Sequence, residues 1–254
     1  MTTLYIIILG IIQGLTEFLP VSSSGHLVLL NKIFKIEGNF ILLSVVLHVA
    51  TLFSVCIVLR KQIWELIKHP FSSEAKKLYV ATIPTVIIVL IFKKFFESAF
   101  SGAFLPICFM ITAVLLFITE MLSKNRQQEK PLSYKSAIVM GIVQGAAVLP
   151  GISRSGSTIA SGLLMGEGTE QTTSFSFLMS IPIILASLAL EIYEMVKSGA
   201  GLVGFGIFDM LLGFVFAFVV GIFSIKLMYK VVKDKKLIWF SLYLFFISIL
   251  SFCI

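Results

Sequence analysis

The chain has 254 residues, of which 58% are hydrophobic and only 13% are charged. A soluble domain carries about 25% charged residues, so the composition excludes an ordinary soluble protein and indicates a membrane protein. The net charge of +7 does not indicate nucleic-acid binding, because 14 of the 20 Lys and Arg residues lie in three short segments between apolar runs, at 60–77, 123–135 and 226–236.

Eight apolar regions follow one another along the chain. Two of them, 1–36 and 136–166, are interrupted near the middle by Pro, Gly and Ser, which leaves halves of roughly a dozen residues, too short to span. We therefore predict an all-α integral membrane protein with six transmembrane helices and two re-entrant helical hairpins. The six runs that reach, or nearly reach, the spanning length of about 20 residues are 40–59, 78–92, 103–122, 174–192, 202–225 and 237–254.

The topology follows from the basic segments and from an internal repeat. Basic segments lie on the cytoplasmic side, which puts both chain ends outside and makes the two hairpins enter from opposite faces. Each half holds one hairpin and three spans, and because three is odd the second half is inverted. The chain is predicted to be one membrane domain, 1–254, with inverted repeats at about 1–122 and 136–254. At one constant offset along the chain, residues 10–14 align with 141–145, and Ser22, Ser24 and Gly25 align with Ser153, Ser155 and Gly156.

The first hairpin carries an unusual density of polar residues for an apolar region. Gln13 and Glu17 are four residues apart and so share one face of a helix. Pro20 is predicted to end this helix, residues 22–25 to form the turn, and a second helix to begin near His26. Ionisable groups within a membrane are costly and are tolerated where they line a cavity, so this cluster indicates a functional site.

The second hairpin repeats the plan around Arg154, with a returning helix predicted to start near Ser157 or Thr158. The starts of both returning helices would aim backbone N–H groups at the hairpin tips, which makes an anion site suited to phosphate. The planar guanidinium of Arg154 matches phosphate oxygens. A purely structural alternative stays open here: the serines satisfy the backbone, and Arg154 pairs with Glu17.

Two stretches resemble the signatures of a known family. Residues 14–26 (Gly-Leu-Thr-Glu-Phe-Leu-Pro-Val-Ser-Ser-Ser-Gly-His) closely resemble the first signature of the undecaprenyl-diphosphate phosphatases, also called bacitracin-resistance proteins, and 150–156 resemble the second. The resemblance covers essentially the whole chain. It implies a multi-pass enzyme of the bacterial cytoplasmic (inner) membrane that hydrolyses undecaprenyl diphosphate to undecaprenyl phosphate and inorganic phosphate. This reaction recycles the lipid carrier for cell-wall synthesis and confers bacitracin resistance.

The resemblance also implies a divalent cation, Mg or Ca, and a protein that can form a homodimer. Glu17, Ser23, His26 and Arg154 match its catalytic positions, with Glu17 as a metal ligand and Arg154 as the phosphate-binding residue. The nucleophile stays open among Ser23, His26 and water. Gln13 stands where many relatives have Glu, and Gln can neither serve as a general base nor add charge for a metal. Neighbouring positions predicted to bind the substrate phosphate are Ser22, Ser24, Ser153 and Ser155.

Other hypotheses accompany this one. His48 lies within the span 40–59 and either reaches the cavity or forms an inter-helix hydrogen bond. The expected partners are the lipid diphosphate and membrane lipids. A lipid-phosphate flippase is the main alternative, since inverted repeats with hairpins are a transporter architecture. A phosphatidic-acid-type phosphatase would explain Ser24-Gly25-His26 but lacks its usual Lys-x6-Arg-Pro stretch, and a scaffold would not need Glu17 and Arg154.

Overall fold

The computed structural model describes residues 2–34, 40–124, 129–197 and 206–254. Within these ranges the chain folds into helices, apart from an isolated β-bridge between Lys130 and Glu167. Parts of the predicted hairpin 1–36, basic segment 123–135 and span 202–225 lie outside the described residues. In chain order the helices are α1 (Thr2–Phe18), α2 (Ser23–Phe34), α3 (Phe40–Val58), α4 (Arg60–Lys68), α5 (Ser73–Ile91), α6 (Lys93–Ala99), α7 (Leu105–Ser123), α8 (Tyr134–Ala146), α9 (Arg154–Met165), α10 (Thr169–Lys197), α11 (Ile207–Lys233) and α12 (Ile238–Phe252).

Among the described residues, three helices are long and apolar enough to cross a membrane on their own: α7, α10 and α11. Helix α3 continues into α4 through a bend of 79°, and α5 continues into α6 through a bend of 74°, so the total rises to five if each bent pair is one span. Helix α12 is apolar but has only 15 residues. The all-α membrane class is therefore confirmed, whereas the count of six spans stays a prediction.

Several helices extend beyond the apolar runs that predicted them. Helix α5 begins at Ser73, ahead of the predicted start at 78, because the Oγ of Ser72 accepts the N–H of Ala75 at 3.2 Å and caps the helix earlier. Helix α11 continues to Lys233, so most of the basic segment 226–236 is helical where a loop was expected. A helix can continue past its apolar run because the polar residues at its ends lie outside the bilayer.

Helix α4 lies in the basic segment 60–77, where a loop was also expected. None of its residues is buried, and the Nζ of Lys68 lies 5.4 Å from the ring centre of Trp64. A basic amphipathic helix bent sharply away from an apolar one is typical of the membrane interface, with Trp at the level of the headgroups. Its position agrees with a cytoplasmic edge at this end of α3.

Each hairpin packs through small residues against a helix of the other half of the chain. Helix α1 lies along α11, and α8 lies along α5. A Cβ added to Gly10 would come within 2.6 Å of the Gly213 carbonyl oxygen, and one added to Gly141 within 2.1 Å of that of Ala81. Gly10 and Gly141 are equivalent positions of the predicted repeat, so the same close helix contact occurs in both halves. The inversion of the halves across the membrane stays a prediction.

The remaining long helices join the halves at the centre. Helix α7 packs on α12, where the hydroxyls of Ser241 and Ser248 donate to the carbonyls of Ala113 and Pro106, each at 2.7 Å. Beneath the hairpin tips, the rings of Phe18 and Phe177 meet edge to face at 5.6 Å within the largest apolar cluster. Phe18 is the last residue of α1, so this packing fixes the end of the helix that carries Glu17.

Candidate active site

The tip of the first hairpin turns at Ser22, which has a φ of +68°. Helix α2 then starts at Ser23, three residues before the predicted start at His26. The Oγ of Ser22 accepts the N–H of Gly25 at 3.3 Å, so Ser22 acts as the cap that starts the helix early. The predicted turn over 22–25 was therefore too long. A serine that caps a helix allows the helix to begin within a Ser- and Gly-rich segment whose composition predicts a turn.

The tip of the second hairpin is built in the same way. Helix α9 starts at Arg154, before the predicted Ser157 or Thr158, because the Oγ of Ser153 accepts the N–H of Gly156 at 3.1 Å. Arg154 is thus the first helical residue. Its backbone N–H belongs to the unpaired group at a helix N-terminus, in the position predicted for an anion-binding turn.

The two tips are fastened to each other by backbone and serine contacts. The N–H of Gly151 donates to the Oγ of Ser22 at 3.1 Å, and the Oγ of Ser155 donates to the carbonyl of Leu19 at 3.2 Å. A Cβ on Gly25 would lie 2.8 Å from the nitrogen of Gly151, so only glycine fits this approach. The tips therefore form one rigid unit.

These contacts bear on three of the predicted phosphate ligands. Ser22, Ser153 and Ser155 are buried, and their hydroxyls cap helices or join the tips. Their role in phosphate binding stays a prediction, while their structural role is visible. Ser23 and Ser24 are only half-buried and line the cavity beside the tips.

A buried ion pair links the two hairpins. The Nη2 of Arg154 lies 2.5 Å from the Oε1 of Glu17, with only 14% and 6% of these side chains exposed. The structural alternative raised by the sequence, a pair between these two residues, is thus part of the arrangement. The Nη1 of Arg154 is buried and finds no hydrogen-bond partner among the described residues. Since a buried unpaired guanidinium nitrogen is costly, this donor points to an anionic ligand.

The second oxygen of Glu17, Oε2, accepts hydrogen bonds from two further predicted residues of the first hairpin. The hydroxyl of Ser23 donates to Oε2 at 2.6 Å, and the Nε2 of Gln13 donates to the same atom at 3.1 Å. Gln13 therefore acts as a hydrogen-bond donor to the carboxylate, a contact that an ionised Glu at this position could not make. The single negative charge of the cluster is held by three donors from both hairpins.

His48 of α3 faces the same carboxylate. Its Nε2 lies 3.9 Å from the Oε2 of Glu17, and its Nδ1 lies 2.8 Å from the carbonyl oxygen of Ser44. A carbonyl can only accept, so Nδ1 carries a proton, and in the neutral ring Nε2 presents a lone pair toward Glu17. Of the two interpretations of His48, the structure supports the one in which it reaches the cavity.

His26 does not join this group. It is absent from the cavity lining and is buried between Phe109 and Tyr243, with its ring stacked on that of Tyr243 at 5.7 Å. Its Nδ1 lies 2.8 Å from the carbonyl of Ser22 and its Nε2 lies 2.7 Å from the hydroxyl of Tyr243. With both nitrogens engaged, this geometry suits a residue that holds the turn at Ser22 rather than one that attacks phosphorus. Its catalytic role stays a prediction.

Tyr243 is a site residue that the sequence did not reveal. It lies on α12, 217 residues from His26, in an apolar run without a motif. The only sequence signal is a phenol hydroxyl within a membrane segment, which needs a hydrogen-bond partner there.

The cavity at the tips has a volume of about 210 Å³ and two kinds of wall. Its ionisable lining residues are Glu17, His48, Arg154 and Glu191. A polar end beside an apolar wall suits a lipid with a phosphate headgroup. A larger cavity of about 790 Å³ opens between α4, α5 and α10, but it contains none of the predicted site residues and is not the site. The apolar residues that line the smaller cavity are Leu27, Val28, Phe100, Ala147, Val148, Ile152, Ile183, Ile184 and Leu188.

The donor set of this cavity does not fit a resident metal ion. Among the described residues no group of three His, Cys, Asp or Glu side chains could hold a metal. Glu17, His48 and Glu191 line the cavity without forming such a group, and the guanidinium of Arg154 lies beside Glu17. Mg²⁺ in proteins is usually held by one or two carboxylates completed by substrate phosphates and water. A cation at this site would therefore need ligands from outside the protein.

Fold and site together define an integral membrane protein with a cavity at the tips of two interlocked helical hairpins, where a buried arginine keeps one nitrogen unpaired among the described residues. The chain belongs to the family described as bacitracin resistance protein BacA, which matches residues 6–250. It is 40% identical to an undecaprenyl-diphosphatase of Carboxydothermus hydrogenoformans over 250 residues, covering 98% of this chain and 96% of the relative. It is also 41% identical to one of Bacteroides fragilis over 254 residues (96% and 95% covered) and 39% identical to one of Methanococcus vannielii over 253 residues (96% of each). The resemblance found in the two hairpin signatures is confirmed.

Proposed function

We propose that this protein hydrolyses undecaprenyl diphosphate to undecaprenyl phosphate and inorganic phosphate in the bacterial cytoplasmic membrane. The observation that carries the proposal is the buried Arg154, whose Nη2 is paired with Glu17 while its Nη1 is left for an anion. The family and the activity of the named relatives supply the substrate. Recycling of the lipid carrier and bacitracin resistance follow from this activity. The homodimer implied by the resemblance is part of the proposal.

The terminal phosphate would lie between the N-termini of α2 and α9. Arg154 can donate from Nη1 to the phosphate while its Nη2 remains paired with Glu17, so the ion pair can persist while the phosphate binds. Ser24 and the first residues of both helices, Ser23 and Arg154, line the same cavity, so the helix N-termini could contribute N–H donors to the phosphate. The prenyl chain would follow the apolar wall that includes Ile184 and Leu188 into the bilayer.

For the chemical step, Ser23 is the best-placed nucleophile. Its hydroxyl already donates to Glu17 at 2.6 Å, so Glu17 can take the proton as the Oγ attacks the terminal phosphorus. The bond from phosphorus to the bridging oxygen breaks, undecaprenyl phosphate leaves, and a phosphoserine remains. Water then attacks this phosphorus, releases inorganic phosphate and restores the hydroxyl. In the alternative, Glu17 takes a proton from water, which attacks the lipid diphosphate directly.

The other candidates have supporting roles in this proposal. Gln13 and Arg154 hold the Glu17 carboxylate in place, and His26 holds the backbone of the turn at Ser22. A divalent cation, Mg²⁺ or Ca²⁺, would supply charge shielding for the diphosphate when bound. Glu17 and His48 are the groups that could face such a cation.

The test is release of inorganic phosphate from undecaprenyl or farnesyl diphosphate by purified protein in detergent, with Mg²⁺, Ca²⁺ or a chelator. Arg154→Ala and Glu17→Ala should each abolish cation-dependent release. The matched controls are Arg60→Ala and Glu97→Ala, which change exposed residues and should keep it. Lipid movement across vesicles without phosphate release, from folded protein, would favour the flippase instead.

A further inference from the structure

Gln144 of α8 lines the cavity at the hairpin tips, is fully buried and takes no part in the proposed mechanism. Its Nε2 lies 3.3 Å from the carbonyl oxygen of Met179 and 3.4 Å from the hydroxyl oxygen of Thr85. Because a carbonyl can only accept, the atom that faces Met179 is the amide nitrogen, which fixes the other atom as the oxygen. This Oε1 is buried and finds no hydrogen-bond partner among the described residues. A buried acceptor without a partner is costly, so it indicates a ligand that donates a hydrogen bond.

Gln13, the equivalent residue of the first half, is used differently. Its Nε2 donates to the Oε2 of Glu17 at 3.1 Å, and it is not one of the residues that line the cavity. The amide nitrogen of Gln144 faces α10 and α5 instead, where the hydroxyl of Thr85 in turn donates to the carbonyl of Gly141 at 2.7 Å. These contacts hold the amide group in one orientation. Of these two glutamines, only Gln144 can therefore present its Oε1 to a molecule in the cavity.

An ionised phosphate does not satisfy this acceptor. Its oxygens only accept, so they match the Nη1 of Arg154 and oppose the Oε1 of Gln144. Water donates two hydrogen bonds, and the proposed hydrolysis needs a water that attacks phosphorus. We propose that Gln144 is a positioning residue for this water, which donates one hydrogen to Oε1; this inference rests on the proposed function. Glutamine orients the attacking water in the same way in enzymes that hydrolyse nucleotide phosphates.

The proposed chemistry leaves one hydrogen of the water for Gln144. The water oxygen bonds to phosphorus as the bond to the Oγ of Ser23 breaks, and Glu17 returns to that Oγ the proton it took earlier. One hydrogen of the water passes to a phosphate oxygen, whereas the other stays on the attacking oxygen, donates to Gln144 and leaves with inorganic phosphate. In the direct attack the bond to the bridging oxygen breaks instead, and the first hydrogen passes to Glu17. The second hydrogen is available to Gln144 in both routes.

Competition between water and methanol tests this role. Methanol has a single hydrogen, which it gives up as its oxygen bonds to phosphorus, so it cannot go on donating to Gln144. Purified full-length protein in detergent receives farnesyl diphosphate with or without methanol, and ion chromatography measures inorganic phosphate and methyl phosphate. Gln144→Met keeps the length of the side chain and removes the acceptor, so it should raise the ratio of methyl phosphate to inorganic phosphate by about tenfold, the value of one hydrogen bond. Without methanol, kcat should fall by a similar factor while KM stays unchanged.

Two further variants serve as controls. Gln62→Met makes the same change at an exposed Gln of α4 and should keep the ratio, kcat and KM. Gln144→Glu keeps an acceptor oxygen at the end of a side chain of the same length, so its ratio should stay close to that of the wild-type protein. A defect in folding would lower the release of both products equally and leave the ratio unchanged. Gln144→Leu replaces Gln144→Met if that variant does not fold.

An unchanged ratio in Gln144→Met would overturn the inference and leave the phosphatase proposal standing. A raised KM with an unchanged ratio would also overturn it, because Gln144 would then bind a protonated phosphate. Glu191 is a second acceptor group in the cavity lining, and a ratio that rises in Glu191→Met but not in Gln144→Met would assign the water to Glu191 instead. Absence of phosphate release from the folded wild-type protein would overturn the proposed function and the inference with it.

Discussion

The two hairpin tips have the same backbone plan and different chemistry. Ser22 and Ser153 cap the returning helices, and Gly25 and Gly156 sit three residues later, with both pairs related by the offset of the repeat. At the same offset, however, Glu17 of the first hairpin corresponds to Val148, and Arg154 of the second corresponds to Ser23.

Because the two tips carry different residues at equivalent positions, they can divide the proposed chemistry between them. One hairpin supplies the carboxylate and the hydroxyl, and the other supplies the guanidinium. Neither tip alone could both hold a phosphate and take up a proton. The contacts that both tips share hold the two backbones in the same geometry. The positions that differ between the tips can therefore carry charged side chains.

The largest effect should come from making the second tip like the first through Arg154→Ser. Loss of a preorganised charged donor lowers turnover by about 100- to 1000-fold. The variant also leaves the buried Glu17 without its partner, which typically costs about 3–5 kcal/mol of stability. Phosphate release and thermal unfolding in detergent measure the two effects separately.

The double variant Glu17→Gln with Arg154→Ser removes both charges and serves as the control for folding. It should regain much of the stability lost in Arg154→Ser and stay inactive. If Arg154→Ser kept more than a tenth of the normal turnover, the two tips would not divide the chemistry as argued.

The next effect concerns two adjacent serines of the first tip. Ser23 donates to Glu17 and Ser24 does not, although both line the cavity. Ser23→Ala should lower kcat by about 100-fold or more if a nucleophile or its proton path is lost. Ser24→Ala should cost less than about tenfold, the value of one neutral hydrogen bond to the phosphate.

Trapping separates the two nucleophiles. Rapid acid quench of the reaction with terminally labelled substrate should leave label on Ser23 if a phosphoserine forms. Label-free protein together with an active Ser23→Ala would assign the attack to water and leave Glu17 as the base.

Because the two tips lie close together, we expect substitutions of two glycines to lower the stability of the protein by similar amounts. A Cβ at Gly25 would meet the backbone of Gly151, and one at Gly156 would meet the Cβ of Pro20 at 2.9 Å. Gly25→Ala and Gly156→Ala should each destabilise the protein by about 1–3 kcal/mol, as overpacking does. Gly206→Ala is the control, since its nearest neighbour is the Asp209 side chain at 3.3 Å. Thermal unfolding of all three is the measurement, and a control as unstable as the others would refute the explanation.

Local sequence patterns predicted the hairpins and the polar cluster. In an apolar chain, proline and glycine have few roles other than to interrupt helices, and ionisable residues have few roles other than to line a cavity. The start of each returning helix was placed three residues too late. A serine cap and a serine turn look alike in sequence, and only the bonds from Gly25 and Gly156 to Ser22 and Ser153 distinguish them. His26 was predicted to lie beside the phosphate because it belongs to the tip of the first hairpin and matches the family signature. Its partner Tyr243 is 217 residues away, so no local sequence pattern indicated the contact that holds His26 away from the cavity lining.

The smallest effects on turnover should appear at the two residues that support the tips from α7 and α12. Thr112 and Tyr243 are again related by the offset of the repeat. The Oγ1 of Thr112 accepts the N–H of Ser153 at 3.1 Å and donates to the carbonyl of Gly151 at 3.2 Å, so it supports the second tip. The hydroxyl of Tyr243 bonds His26 and so supports the first. Thus α7 and α12, which are equivalent in the repeat, support equivalent tips, although Thr112 and Tyr243 differ in size.

Tyr243→Phe keeps the ring stacked on His26 and removes only its hydroxyl, which should cost about 0.5–1.5 kcal/mol of stability and less than about tenfold in kcat. Thr112→Val leaves the buried N–H of Ser153 without an acceptor, so its cost should be larger, about 1–3 kcal/mol. Because both act through the backbone of a tip, KM for farnesyl diphosphate and kcat should change together rather than kcat alone. A Tyr243→Phe variant that lost activity as completely as Arg154→Ser would show that the Tyr243 and His26 pair takes part in the chemistry, which would return His26 to the catalytic role that its signature position predicts.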